Sequence, residues 1–438
     1  MESRKRQNLF FNAWFICGLG ALYYSYEYLL RITPSVMEVS LRSHFHLSST
    51  AFGFLSAFYY YAYVPMQIPV GILLDRYGPR ILLTFACGVC VLGSFTFART
   101  EIFWLAAFGR FLVGFGSAFA FVGVLKLATI WLPEDKLAMV AGLAAALGTI
   151  GAMVGDNLLG YLVLKMGWSE AVNVTAIVGA VLTILLWFGV RDSKKQKTSA
   201  DRINPVGTIT SFKQSIKDFQ LILSNRQIWI NGLFGCLVYL PTTVFAELWG
   251  ISYLKNAHHL SQENADFANS ILFLGFTIGA PLMGYISDKL QRRKVPMLIG
   301  ATGAAITMML VLYVPGLTVF SISILMFILG LFYSSQCIVF AVGRELSPRE
   351  AAGTAMAMTN MIVMLGAMFL QPFVGKLLDL SVSYRQDLTL KSGLVLEKMT
   401  QLYTADDYQF ALSIIPLGII IAAILTFFLK ETYAHAKN

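Results

Sequence analysis

Six ionisable side chains stand inside stretches that are otherwise apolar: Glu27, Arg31, Arg110, Lys126, Asp156 and Glu247. A charge at the centre of a membrane helix costs roughly 2.5 to 3.5 kcal/mol on insertion scales, so such groups pair with one another or mark a path for solute and protons. Three are acids and three are bases, which allows mutual neutralisation in a shared aqueous cavity and equally allows a set of structural ion pairs. Glu27 and Arg31 are four residues apart and share a helix face. Either they form a local salt bridge, or Arg31 receives a substrate anion while the released Glu27 takes a proton. Asp156 and Glu247 are alternative proton sites. Arg110 is expected to fix helix contacts and couple to proton movement. Lys126 lies near a helix end, where its stem can snorkel to water or its amine can serve as a ligand. Tyr23, Tyr24, Tyr26 and Tyr28, with Tyr59, Tyr60, Tyr61 and Tyr63, are too closely spaced for all to face lipid. Some, Tyr28 among them, are expected to line the site. Gln67, Asn157, Gln336 and Gln371 add polar groups at membrane depth, for helix-to-helix hydrogen bonding or, at Gln371, for substrate.

The elements that must position these groups are helices spanning a bilayer. The chain is 57% hydrophobic and 13% charged, with a mean hydropathy of +0.66, too few polar groups to cover a soluble globule of this length. A hydrocarbon core of roughly 30 Å takes about 20 apolar residues per span. Twelve stretches qualify, near 9–32, 50–74, 80–99, 102–131, 137–163, 171–190, 228–254, 266–288, 296–314, 318–343, 352–378 and 409–429. The expected fold is an all-α membrane protein of twelve transmembrane helices, in two parallel six-helix repeats around a central cavity. Most of the 33 Lys and Arg residues fall at the chain ends and in alternate loops, which assigns that side, with both termini, to the cytoplasm. The net charge of +9 follows from this topology and gives no support for nucleic-acid binding. All five cysteines fall within spans, and Cys87 and Cys90 read as a packing pair.

The two halves share a motif. Gly71-Ile-Leu-Leu-Asp75-Arg76-Tyr77-Gly78-Pro79-Arg80 returns as Gly284-Tyr-Ile-Ser-Asp288-Lys289 with Arg293 beyond. In both copies Gly precedes Asp by four, a cation follows the Asp, and an Arg lies five past it. Gly114 and Pro133 find counterparts in Gly330 and Pro348 at nearly the same offset. The expected division is a bundle over 1–190, a cytoplasmic linker over 191–226 with a surface helix near Phe212 to Ile222, and a bundle over 227–438. A loop is expected from Ser381 to Asp407. Parallel repeats of this kind place a substrate site between the halves near the midplane. Asp75 is expected to face the N-terminus of span eleven, in a contact that forms in one access state and breaks in the other.

These residues resemble the major facilitator superfamily over the whole chain. Gly71 to Arg80 looks like its signature loop between spans two and three, and Gly109-Arg110-Phe-Leu-Val-Gly114 looks like its span-four motif. Span five, with Gly148, Gly151, Gly155 and Gly160, is similar to the family's glycine-rich fifth helix, yet Asp156 stands where antiporters often carry proline. Tyr28-Leu-Leu-Arg31-Ile-Thr-Pro34 and Lys126 resemble the organophosphate and anion:cation symporter branches, where the arginine engages an anionic substrate. Span seven departs from the phosphate-ester pattern, offering Glu247 and no Arg. The lysosomal dipeptide-transporting branch is a further resemblance, suited to a site of mixed charge.

No metal-ligand cluster, nucleophile elbow or phosphate-binding loop is present, which argues against a membrane enzyme or ATP-driven pump. The expected function is alternating-access transport of a small organic anion or zwitterion, driven by protons and directed inward, by a monomer in a bacterial inner membrane. Expected substrate ligands are Arg31, Lys126, Glu247, Tyr28 and Gln371. Glu27, Asp156, Glu247 and Arg110 serve proton coupling, and Gly71, Asp75, Arg76, Gly78, Arg80, Gly284, Asp288 and Arg293 serve gating. No cofactor or metal is called for. The alternatives are a dipeptide, amino-acid or siderophore carrier, an exporter, or a non-transporting receptor on the same scaffold.

Overall fold

A computed structural model describes residues 2–133, 136–192, 220–348, 351–391 and 403–433. Twelve long helices run through it. The first half holds α1 (Glu2–Ile32), α2 (Ser49–Tyr77), α3 (Pro79–Arg99), α4 (Phe103–Trp131), α5 (137–166) and α6 (Trp168–Gly189). The second holds α7 (Arg226–His258), α8 (Gln262–Leu290), α9 (Lys294–Tyr313), α10 (Val319–Glu345), α11 (Ala352–Lys391) and α12 (Ala405–Phe428). Ten are long and apolar enough to cross a membrane by composition alone. The other two, α1 and α2, carry the charges and the tyrosine cluster that lower their hydropathy. The surface helix expected near Phe212 to Ile222 lies largely outside the described residues. The loop expected from Ser381 is instead helix as far as Lys391, since Ser381 to Lys391 contains neither Gly nor Pro to stop it.

Close packing of second and fourth helices defines each half. A Cβ at Gly114 of α4 would strike the Tyr59 backbone of α2, and one at Gly330 of α10 would strike the Leu272 backbone of α8. The Gly114 and Gly330 repeat is therefore a repeated helix crossing, which small residues allow. Prolines act unevenly. Helix α2 continues through Pro65 and Pro69 and α11 through Pro372, while Pro241 opens a π-helical run, Pro241–Trp249, inside α7. A second π turn, Gly155–Leu159, interrupts α5. Such turns rotate the side chains that follow them and are frequent at functional sites.

The halves meet through α1 with α7, α2 with α11 and α5 with α8. At the end where α1 passes to α2 they are latched. Asp379 of α11 caps α2, accepting the Ser49 amide at 3.0 Å, the Thr50 amide at 2.8 Å and the Thr50 hydroxyl at 2.6 Å. Tyr403 donates to Asp379 at 3.1 Å and accepts from Ser49 at 2.8 Å and from Arg42 at 2.7 Å. Glu38, on the short helix Glu38–Phe45, pairs with Arg42 at 3.1 Å and accepts from Ser252 of α7. Burial pushes the Glu38 carboxyl above the usual carboxylate range, and Arg42 opposes the rise.

Toward the basic end the halves part. Among the described residues, the hydrogen bonds between them run out at Asn360 to Gln67 (2.9 Å) and Thr149 to Thr277 (2.6 Å). One or two turns further on the same helix faces stand Gly71, Gly353, Gly142 and Gly284, each with nothing within 4 Å of a Cβ built there. Among the described residues, polar contact between the halves is thus dense at one end and sparse at the other, as a single access state requires.

The two sets of glycines should respond differently to substitution. Gly114→Ala or Gly330→Ala should cost about 1–3 kcal/mol through overpacking and lower the melting temperature in detergent. Gly71→Ala and Gly284→Ala should leave it unchanged or slightly raised, because alanine favours helix. Equal effects at all four positions would contradict the crossing geometry.

Candidate functional site

The last turn and a half of α1 brings its charged face against α2 and α7. Arg31 donates to Glu27 Oε1 from Nε at 3.0 Å and from Nη2 at 2.5 Å, and Nε also reaches the Tyr59 hydroxyl at 3.2 Å. Tyr59 itself donates to Glu27 Oε1. Arg31 Nη1 faces Glu247 Oε1 of α7 at 3.8 Å, and Tyr60 donates to the other Glu247 oxygen, Oε2. The Arg31 guanidinium lies 4.3 Å from the Tyr28 ring centroid and 5.1 Å from that of Tyr63, placing the quadrupoles of both rings on the cation. Glu27, Arg31 and Glu247 are 0%, 2% and 1% exposed. The charges are thus paired within one contact set, as burial demands, with contributions from both halves. The set is not fully satisfied. Arg31 Nη1, Glu247 Oε1 and Glu27 Oε2 are buried and have no hydrogen-bond partner. Adjacent cationic and anionic groups with unused hydrogen-bonding capacity can receive a solute that offers both an acceptor and a donor.

Arg110 comes close to this group from α4 without joining the clamp. Its Nη1 donates to the Leu30 carbonyl at 2.7 Å and its Nη2 to the Arg31 carbonyl at 3.2 Å. These carbonyls belong to the end of α1, where backbone acceptors lack helical partners and a cation is favoured. Arg110 therefore sets the position of Arg31 through the backbone.

The other expected site residues lie elsewhere. Lys126 is not beside Arg31. It pairs with Asp75 at 2.5 Å on the basic rim, with 29% of its side chain exposed, because its position near the end of α4 puts the amine level with the α2–α3 turn. Asp75, expected to face the start of α11, is held by Lys126 within its own half. Gln371 is buried between helices, its amide donating to the Thr243 carbonyl at 2.7 Å and its main-chain carbonyl accepting from Trp249 at 3.2 Å, while its side-chain oxygen is buried without a hydrogen-bond partner. Asp156 is displaced from the clamp toward the latched end, where Asn269 of α8 donates to it at 2.8 Å.

The gating motif is built differently in its two copies. Arg293 bonds to Asp288 at 2.6 Å and to Glu345 of α10 at 2.6 Å. Arg80 instead donates to the Trp187 carbonyl at 3.0 Å, and Arg76 lies near the Tyr77 ring at 5.2 Å. Gly78 adopts φ +80°, a value costly for any residue with a Cβ, and delivers the chain into α3. A shared device sits behind both copies. Asp192 after α6 accepts the Arg80 amide at 3.2 Å, and Glu431 after α12 accepts the Arg293 amide at 2.7 Å. Val190-Arg-Asp192 and Leu429-Lys-Glu431 are thus a repeat, visible in sequence as a cation-acid pair following the sixth span of each half. Asp266, Asn269, Asp379 and Tyr403 were also not singled out from sequence. Asp266 stood at an expected span boundary, where a carboxylate reads as solvated.

Removing the Arg110 contacts should act through α1. Arg110→Ala should lower thermal stability by about 2–4 kcal/mol, because two buried carbonyls lose a charged donor. Lys126→Gln, at the half-exposed rim, should change it by less than about 1 kcal/mol. Thermal unfolding in detergent measures both, and an Arg110→Ala protein as stable as the parent would refute the capping role.

Comparison with known proteins agrees with this architecture. A bacterial homologue of the human lysosomal transporter Spinster, crystallised inward-facing and unoccupied, superposes with a TM-score of 0.75 at 16% identity, over 95% of this chain and 97% of that one. The D-xylose–proton symporter superposes with a TM-score of 0.72 over 98% and 99%. In sequence, the lysosomal dipeptide transporter MFSD1 of Homo sapiens is 25% identical over 382 residues, 83% of this chain and 78% of that protein. The probable galactarate/D-glucarate transporter GudP of Bacillus subtilis is 27% identical over 379 residues, 79% of this chain and 81% of that protein. Residues 15–378 match the Major Facilitator Superfamily, and the chain belongs to that family of multi-pass membrane transporters.

Proposed function

We propose that this secondary transporter moves a small zwitterion, of the amino-acid or short-peptide class, by alternating access between its two halves. The carrying observation is the loose ion pair at 3.8 Å between Arg31 Nη1 on the first half and Glu247 Oε1 on the second, neither atom having a hydrogen-bond partner. A carboxylate on the arginine and an ammonium on the glutamate would each gain a charge-assisted hydrogen bond. A solute held by one group from each half also links substrate occupancy to their relative position. The similarity to a dipeptide transporter supports this reading.

A second reading is an organic anion moved with a proton. It is favoured by Glu27, whose Oε1 accepts from both Arg31 and Tyr59 and which would lose the arginine to an incoming anion and take a proton in its place. The similarity to a probable aldarate transporter supports this one. In both readings transport runs inward across a bacterial cytoplasmic membrane. The basic end and both termini are cytoplasmic, the halves are 1–190 and 227–438 joined by the 191–226 linker, and the unit is a monomer.

Thermal shift of the purified protein against dipeptides, amino acids, aldarates and sulfonates separates the two, because a ligand of the folded state raises its melting temperature. A zwitterion should stabilise the protein, and Arg31→Gln or Glu247→Gln should each weaken its binding by about 2–5 kcal/mol. Stabilisation by dicarboxylates alone, undiminished in Glu247→Gln, would select the anion reading. For proton coupling, accumulation in proteoliposomes should rise as the outer compartment is acidified relative to the lumen. Uptake indifferent to that gradient would remove coupling.

A further inference from the structure

Asp156 and Asp266 form a second buried acidic group, separate from the clamp and situated between α5 and α8 toward the latched end. They are 0% and 2% exposed. Asp156 stands in the π turn Gly155–Leu159, and its carboxylate meets Asn269 of α8. Gly160 lies one turn further on the same face, and a Cβ there would strike Asp266 Oδ2. The two carboxylates are thus stacked about one helical turn apart along α5, one from each half.

Neither is paired with a cation among the described residues. Asn269 donates Nδ2 to Asp156 at 2.8 Å and to the Ala246 carbonyl at 3.0 Å. Gln262 donates Nε2 to Asp266 at 2.7 Å, and Lys255 reaches only as far as the Gln262 carbonyl oxygen, at 2.7 Å. Asp156 Oδ1 is buried with no partner at all. The titratable and charged groups on the elements around Asp156 are few. Helix α8 offers Asp266 and the exposed Glu263, and α7 offers Glu247 and Lys255. Helix α1 presents Leu29 and Ile32 to this part of α5, its Glu27 and Arg31 being engaged with each other. The nearby Glu38 is bound to Arg42.

Two ionised carboxylates packed so closely, with the nearby Lys255 bonded to Gln262 and to neither of them, would repel and carry a desolvation cost that no ion pair offsets. A metal ion would relieve this, but the amide groups aim N–H donors at the carboxylates, the wrong polarity for a ligand shell. A proton relieves it with no further ligand. We infer that Asp156 and Asp266 are a proton-binding site at the contact between the two halves, distinct from the substrate clamp, which takes its proton from outer water while α5 and α8 are apart and carries it buried once this end is shut. The balance is one carboxylate gaining one proton from the outer side while this end is open and losing it toward the basic end before this end reopens. This deepens the proton-coupled reading proposed above and rests on it for its role in transport, though not for the existence of the site.

Infrared difference spectra of the full-length protein in detergent, between neutral and alkaline pH, read protonated carboxyl groups with no need of a substrate. In a Glu27→Gln/Glu247→Gln background a protonated-carboxyl carbonyl band should persist at neutral pH, and adding Asp156→Asn or Asp266→Asn should remove it. Should neither Asn variant assemble, Asn269→Ser, which deletes the amide and keeps both carboxyls, should shift the frequency of the same band. The inference fails if the background protein shows no such band at neutral pH, or if the band survives both Asn substitutions and does not move in Asn269→Ser. It also fails if sodium chloride, compared with choline chloride, stabilises the parent and not Asp156→Asn, since the site would then hold a cation. Gradient-driven uptake in proteoliposomes distinguishes the two levels. The band present with uptake that ignores the gradient keeps the site and refutes its coupling, whereas gradient-driven uptake without the band refutes the site and keeps the transport reading.

Discussion

Everything in this protein is organised around one buried cation. Arg31 sits at the end of α1 with almost no access to solvent, and an arginine there is tolerable only because Glu27, Tyr59 and Glu247 converge on it. Those partners come from α1, α2 and α7, so the helices must be held in register for the charge to survive. Arg110 fixes the end of α1 by its carbonyls, and the crossing at Gly114 brings α2 close enough to α4 for Tyr59 to reach the arginine. Electrostatic necessity at one side chain thereby determines the packing of four helices.

The same cation gives the interface its capacity to change. Most of its compensation comes from the first half at hydrogen-bond distance, while the second half contributes one carboxylate at a longer distance. Ionic contact between the halves at the midplane is therefore loose, and firm contact lies at the latched end, in Asp379, Tyr403 and Glu38. A tight latch at one end, bare glycine faces at the other and an underused ionic contact between them are what a transporter in one access state requires.

Internal repetition is visible at the level of physical devices as well as motifs. Gly114 and Gly330 allow the same helix crossing, and Asp192 and Glu431 cap the same helix start. The repeats differ where function departs from scaffold. Arg293 joins Asp288 and Glu345 in one network, whereas the first half holds Asp75 through Lys126 and leaves Arg80 to a backbone carbonyl. The rims of the two halves therefore differ in strength, although they descend from one pattern.

Much of this was legible before any coordinates. Apolar runs of bilayer length mark helices as the spanning element, the recurrence of Gly71 to Arg80 marks two halves, and the i, i+4 spacing of Glu27 and Arg31 puts them on one helix face, because each depends only on local periodicity or composition. What the sequence left open was which distant charges meet. Lys126 and Asp156 looked like companions of Arg31, since insertion cost alone marks every buried charge equally and carries no information about direction. Tertiary structure decided that Lys126 reaches the rim, that Asp156, in a π turn, meets α8, and that Glu247 alone among the described second-half acids faces Arg31. Helix rotation and local winding set those directions. Both arise from packing between elements far apart in the chain, which one-dimensional periodicity does not encode.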